Sequence, residues 1–417
     1  MQCFFERDNK LSIIGFSRYW NHQLCLMLLL IANICFYTED TIPVYIIISG
    51  ISFLIILVSF EKFHRFELII DSFSAWIILL YLLYMLYGCC FLRTYFFNWD
   101  MILFTGLSNF AMYVAFYNIF KSGDAITYLR KPIICSSVFC IIYIYITSKG
   151  VLGEESVRIG DALSGNVNTV AVSLGILSMM LTYVYLCSKS KIDLCVLIAL
   201  IGFSFLTGSK KAIVYVIIDF IMIMKVSKSK VKKYLVVGFA GAVVFYIIMK
   251  VPYFYSVIGH RVQDLFYQVF GIGNASFSNA DDKSSEIRLN MIKEGFRIFF
   301  NNPQYYFFGG GEKFFAYEST YGAFHYSHCN YTELLCNYGL YGLLLFYFPL
   351  ISNIRKLTKL KYYNRELVLF GTLGIVSILI NSWLMVIYES ICIYYIPAIL
   401  SFVIIKILKE EELDVKI

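Results

Sequence analysis

The sequence predicts an all-α fold, a polytopic membrane helical bundle of about twelve transmembrane helices with one large external loop containing amphipathic helices. Three observations carry that expectation. The chain has 417 residues, of which 59% are hydrophobic and only 15% charged, and its mean hydropathy is +0.70. A soluble domain carries roughly 25% charged residues, so there are too few charges here to cover a water-facing surface. Apolar runs near the length needed to cross a bilayer, about 20 residues, recur along the whole chain except between 251 and 332. The basic residues fall between those runs in the alternating pattern that the positive-inside rule demands.

The runs, in order, are 22–38, 43–60, 70–92, 101–120, 132–148, 166–187, 192–208, 212–225, 234–250, 333–353, 367–386 and 390–407. The seventh and eighth are separated only by Ser209, Lys210 and Lys211, and the eighth is short. With the N-terminus in the cytoplasm, the cytoplasmic connections collect most of the 35 basic residues, with clusters at Lys225–Lys233 and Arg355–Arg365. The short external connections at 39–42 and 387–389 hold the acids Glu39, Asp40 and Glu389 and no base. An even number of spans with both termini inside satisfies this bias. Three regions follow: 1–250 with nine spans, an external loop at 251–332, and 333–417 with three spans and a cytoplasmic tail.

The loop is not a polar tail, because Tyr253, Phe254, Phe266, Phe270 and Phe296 recur through it. Within it, SEIRLNMIKEGFRIFF (285–300) places Ile287, Met291, Phe296 and Phe299 at helical spacing, which fits a helix lying on the membrane or over the bundle. Ser284 or Ser285 would cap it, Asn301, Asn302 and Pro303 would end it, and Gly309, Gly310 and Gly311 would form a flexible turn. The net charge of +7 does not indicate nucleic acid when its distribution follows membrane topology. The cysteines lie mostly in apolar segments and show no CxxC or Cys/His ligand spacing, so neither disulfide, metal nor other cofactor is expected. The polar N-terminus leads straight into an apolar run, without the pattern of a cleavable signal.

Polar chemistry is concentrated on the external side. Arg288 lies on the surface helix. SHCNYTELLCNYGLYG (327–342) runs from the loop into the tenth span, TGSKK (207–211) joins the seventh and eighth, and Asn168 opens the sixth. Arg and Lys can hold a diphosphate, Arg by a bidentate fork and Lys as a point charge, and a His can serve as general base near neutral pH. Each residue also has a plainer reading. His328 fits a helix anchor, Arg288 a side chain snorkelling to lipid phosphate, and Lys210 and Lys211 interfacial anchors. Gly339 and Gly342 fit close packing between helices better than ligand contact. Asp219, in the middle of the eighth run, is either a functional ionisable group or a hydrogen-bonded structural one.

The run SHCNYTELLCNYGLYGLLLFY resembles the signature of the O-antigen ligase and Wzy-type polysaccharide polymerase superfamily, through His328, Asn330, Tyr331, Glu333, Leu334, Leu335, Gly339 and Gly342. SSEIRLNMIKEGFRIFFNNPQYYFFGGG is similar to the family's arginine-bearing loop helix followed by a Pro and a Gly-rich turn, which puts the loop arginine at Arg288. FLTGSKKAIVYV resembles a Thr/Ser-Arg segment, with Lys210 where Arg is usual, GNVNTVAVSLGI an Asn-containing helix start, and Arg261 a weaker Gly-x-Arg element. The resemblance covers about 160–350. It implies a metal-independent glycosyltransferase of the bacterial inner membrane with a periplasmic loop, acting on undecaprenyl-diphosphate-linked glycans. A chain-length regulator would be a partner by the same analogy. His328 and Arg288 would be catalytic, with Lys210, Lys211, Arg261, Asn330, Tyr331, Glu333 and Asn168 binding diphosphate or glycan. A repeat-unit polymerase is the favoured member, an O-antigen ligase the alternative, and a lipid-linked oligosaccharide flippase a third reading.

Overall fold

The computed structural model describes residues 20–35, 71–90, 99–121, 125–147, 167–226, 279–321, 325–388 and 392–416, with a few positions at 47–54 and 246–259. Among these the chain is all-helical, without a strand. The helices are α1 (Trp20–Cys35), α2 (Ser72–Cys90), α3 (Trp99–Lys121), α4 (Ala125–Thr147), α5 (Val167–Ser188), α6 (Lys191–Leu206), α7 (Lys210–Val226), α8 (Asn279–Asn301), α9 (Phe314–Glu318), α10 (Asn330–Lys359), α11 (Arg365–Asn381) and α12 (Ile396–Lys416). Among the described residues, three stretches are long and apolar enough to cross a membrane, namely Tyr128–Thr147, Val167–Ser188 and Asn330–Lys359. Most of the second and ninth sequence-derived spans, 43–60 and 234–250, lies outside the described residues.

Helix α5 is buried on almost every side, as a helix apolar all round should be, and it packs against α4, α6 and α7. Tyr215 of α7 lies over Gly175, where an added Cβ would sit 2.2 Å from the ring. Pro132 falls inside α4, which therefore begins at Ala125 and not at the start of the apolar run. A proline leaves the carbonyl four residues back without its helical donor, and Gln23 of α1 supplies one, its Nε2 donating to the Tyr128 carbonyl at 3.0 Å. Asp71 caps α2, accepting from the Phe73 and Ser74 amides at 3.1 and 2.9 Å. The Trp76 indole then ties α2 to α10 by donating to the Leu345 carbonyl at 3.0 Å.

Three local expectations are revised. Helix α8 begins at Asn279, before Ser284 and Ser285. The apolar run 367–386 is helical only to Asn381, beyond which the chain folds into a turn. Ser382 and Asn381 bond back to the Ile378 and Ser377 carbonyls, side-chain bonds that compete with continuation of the helix.

The third revision concerns Gly309–Gly311, which form no flexible turn but a buried insert in a break of α10. At Gly339 the helix backbone leaves helical geometry, with φ 65 and ψ −162. The amides of Gly310 and Gly311 donate to the carbonyls of Cys336 and Asn337 at 2.9 and 3.0 Å, and the amides of Leu340 and Tyr341 donate to those of Tyr306 and Phe307 at 2.8 and 2.9 Å. The loop thus supplies partners to backbone groups that the break exposes, as buried backbone requires. It approaches so closely that a Cβ on Gly309 would lie 2.4 Å from the Asn337 carbonyl.

Candidate active site

His328 sits just ahead of α10 with φ 56, in the left-handed region that only a small share of non-glycine residues adopts. Its neighbours hold that conformation. The Glu333 carboxylate, one turn into α10 and 2% exposed, accepts the Ser327 amide at 2.7 Å. The Thr332 hydroxyl bonds to Ser327 Oγ at 2.9 Å. Asn330, fully buried, receives the Ile387 and Tyr388 amides on its Oδ1 at 2.7 and 2.9 Å, while its Nδ2 donates to the Tyr347 hydroxyl at 2.8 Å. Among the described residues no group hydrogen-bonds the His328 imidazole, whose close ring neighbour is Tyr326 at 4.3 Å.

Helix α8 brings Arg288 to this turn. Gly295 lets α8 lie on the start of α10, since a Cβ there would be 2.9 Å from Thr332, and Cys336 Sγ donates to the Gly295 carbonyl at 3.2 Å. Met291 and Ile298 are buried along the same stripe. Arg288, two turns before Gly295 on that stripe, continues it with an exposed side chain. Lys211 comes from the other side. Gly208 turns the chain with φ 62, Ser209 Oγ receives the Lys211 amide at 3.3 Å and donates to Asn168 Oδ1 at 2.8 Å, so the head of α7 is fixed to the start of α5.

The electrostatics place these residues within range of one another's charge. Lys211 precedes the apolar run of α7 and is 6% exposed; burial, then the Arg288 charge, lowers its ammonium to about 7. His328 is lowered to about 4, first by burial and then by the charges of Arg288, Lys211 and His325. At neutral pH the imidazole is therefore neutral. Among the described residues no carboxylate pairs with Arg288 or Lys211. Cations brought together without a counter-charge repel one another, and a bound anion would remove that cost.

Of the residues singled out in the sequence, His328, Arg288 and Lys211 are brought within range of one another, and Asn168 joins the turn before Lys211 through Ser209. Asn330 and Glu333 are beside His328 but committed to backbone, and Tyr331 donates its hydroxyl to the Leu379 carbonyl at 3.0 Å. The Lys210 side chain and Arg261 lie outside the described residues. The sequence reading missed two features. Glu312, 4% exposed, receives the hydroxyls of Tyr338 and Tyr388; Tyr388 in turn accepts from Asn337, whose Nδ2 also reaches Glu333. This chain ties the loop insert to the histidine turn, and no spacing in the sequence signals it. The other is the turn 381–388, whose signal was the polar pair Asn381-Ser382 interrupting an apolar run. Among the described residues no cluster of His, Cys, Asp or Glu could hold a metal ion.

Fold and site define a helical membrane protein with a cationic, histidine-centred site where α7, α8 and α10 begin or cross. Residues 195–347 match the model of the O-antigen ligase family. The match spans Lys211, Arg288 and His328, while Asn168 precedes it. No curated protein matches the chain in sequence.

Proposed function

We propose that the protein is a repeat-unit polymerase that transfers a glycan from an undecaprenyl-diphosphate carrier to the sugar end of another carrier-linked unit, on the periplasmic face of the bacterial inner membrane. The observation that supports this reading is the convergence of Arg288 and the partly protonated Lys211, without a carboxylate partner among the described residues, on a histidine that is neutral at neutral pH. In the proposed reaction the acceptor O–H breaks and its proton passes to His328. The oxygen forms a bond to the anomeric carbon, and the bond from that carbon to the diphosphate breaks, leaving its electron pair on the diphosphate. Arg288 and Lys211, with Lys210 and Arg261 as further candidates, hold that diphosphate as its charge develops, which is where fixed cations lower a barrier most. Asn330, Glu333 and Asn168 set the positions of His328 and Lys211, and Tyr331 faces the glycan. The topology fitting this chemistry has nine spans in 1–250, a periplasmic loop at 251–332, three spans in 333–417 and both termini in the cytoplasm. A chain-length regulator is the partner such a polymerase would use.

The family description favours a second reading, a ligase that moves the finished chain to lipid A core. Deletion separates the readings. A single repeat unit on the core supports the polymerase, long chains left on the carrier support the ligase, and absence of glycan from the external face supports a flippase. In the complemented deletion strain, His328→Ala and Arg288→Ala should each remove the ladder of long chains while the protein still inserts. A normal ladder from either variant would reject that residue's role.

A further inference from the structure

The turn that follows α11 takes no part in the reaction above, yet it is tied to both halves of the site. Asn381 Nδ2 donates to the Tyr215 hydroxyl at 3.2 Å, one helical turn from Lys211 on α7. The Ser382 carbonyl accepts the Asn330 amide at 2.7 Å, two residues after His328. The turn therefore bridges the lysine helix and the histidine turn. Ser382, Met385, Ile387 and Tyr388 are buried within it, but Trp383 keeps 52% of its surface exposed.

That indole is held. It lies 4.8 Å from the Tyr331 ring at 43°, Tyr331 stacks on Tyr347 at 4.5 Å and 15°, and the Tyr331 hydroxyl is anchored on Leu379. Three rings step outward from the core and end in an open indole. Beside the imidazole, Tyr326 is 42% exposed. A sugar ring presents a face of C–H groups, weakly positive and apolar, which complements the electron-rich face of an indole. An exposed aromatic, held by Tyr331 and one residue from a backbone hydrogen bond to the histidine turn, is suited to hold such a ring on that side of the turn.

The geometry points to a glycan subsite in which a sugar ring of a lipid-linked substrate stacks on Trp383, backed by Tyr331. The subsite rests on the transferase reading, and it assigns the glycan a hold separate from the cations that take the diphosphate. A tryptophan serving only as an interfacial anchor would also be exposed, so the test must distinguish the two.

The full-length protein in lipid nanodiscs, assayed with donor and acceptor varied separately, supplies one arm. Trp383→Ala and Trp383→Leu should each raise KM for one glycan substrate roughly ten-fold with kcat little changed, while Trp383→Phe stays within about three-fold, the scale expected for loss of one aromatic contact. The substrate whose KM moves identifies the stacked ring as acceptor or donor. Wild-type KM for both substrates in Trp383→Leu, which keeps the apolar bulk, overturns the proposal. The second arm reads binding without turnover. Protein carrying fluorotryptophan, with the Trp383 resonance assigned by Trp383→Phe, is titrated with the repeat-unit oligosaccharide released from the producing strain's carrier lipid by mild acid. A saturable shift of the Trp383 resonance is expected, and no shift at saturating glycan rejects the subsite. Because this arm does not require transfer, a wrong reaction and a wrong subsite give different outcomes.

Discussion

Replacing Gly339 with alanine would put a Cβ 2.5 Å from the Gly309 nitrogen and 2.6 Å from the Phe307 carbonyl. Both are backbone atoms, so no flexible side chain can swing away. The conformation itself, φ 65 with ψ −162, is one that glycine almost alone adopts, at a cost to other residues of about 1–3 kcal/mol. Relieving the overlap means moving the loop by about 1 Å, which strains the four backbone hydrogen bonds from 306–311 to the broken helix, each worth about 1 kcal/mol net. Together these put the loss at roughly 3–6 kcal/mol. Gly202→Ala is the control. Its Cβ meets nothing within 4 Å in the interior of α6, so it should stabilise by about 0.5–1 kcal/mol. Thermal unfolding of the two variants in nanodiscs should show melting temperatures moving in opposite directions, with Gly339→Ala lower by roughly 5–10 °C and inactive in transfer. If Gly339→Ala melts with the wild type and keeps its activity, the interlock between loop and helix does not support the site.

Stability should depend on pH through His328. Its folded value, about 4, lies below the ordinary 6.5, so the unfolded chain binds the proton more tightly, and stability falls as pH drops from 6.5 to 4, by about 3 kcal/mol in all. His328→Gln should flatten that slope, and an unchanged slope would show the imidazole to be ordinarily basic. Glu333→Ala should cost about 1–3 kcal/mol by leaving the buried Ser327 amide without its acceptor and should abolish transfer, whereas Glu333→Gln keeps an oxygen for that amide and should retain most of the stability; equal melting of the two would refute the capping role. Asp219, on α7 about 12 Å beyond Lys211 by helical rise, receives the Ser178 hydroxyl at 2.7 Å. Asp219→Asn keeps that acceptor and should leave transfer unchanged, and a loss of more than about ten-fold would bring Asp219 into the mechanism.

Helix positions were legible in the sequence wherever apolar run and helix coincide, as at Val167–Ser188 and Lys191–Leu206. They were less legible where a single polar contact overrides composition. Pro132 reads as a breaker until Gln23, far away in the chain, supplies the missing donor. Asn381 and Ser382 sit inside a run that reads as membrane-spanning, and their side-chain bonds to the preceding turn stop it. The triple glycine reads as slack because the sequence cannot show that another glycine, thirty residues on, opens the helix that receives it. For the candidate site, charge type and family pattern drew attention to His328, Arg288 and Lys211, which the structure places within electrostatic range of one another. They could not separate residues facing a substrate from those holding the backbone, because Asn330 and Glu333 differ from contact residues only in what they bond. Trp383 carried no motif at all, and its exposure is a property of the fold.

The low basicity of His328 bears on the order of events in the proposed reaction. An imidazole near 4 stays neutral, yet it is a weak proton acceptor for a hydroxyl. Burial is the first cause of that depression, and the charges of Arg288 and Lys211 follow. A bound diphosphate would deepen the burial but add negative charge beside both cations. At about 6 Å and an effective dielectric constant near 20, one charge is worth about 3 kcal/mol, or about two pKa units, enough to outweigh a modest further loss of water. The donor would then restore the basicity of His328 only when it is in place, so that proton removal from the acceptor is tied to the presence of a leaving group. This also accounts for the lack, among the described residues, of carboxylate partners to Arg288 and Lys211. An acid beside Arg288 or Lys211 would stabilise the resting site, but it would occupy the diphosphate position and keep His328 basic with no donor bound.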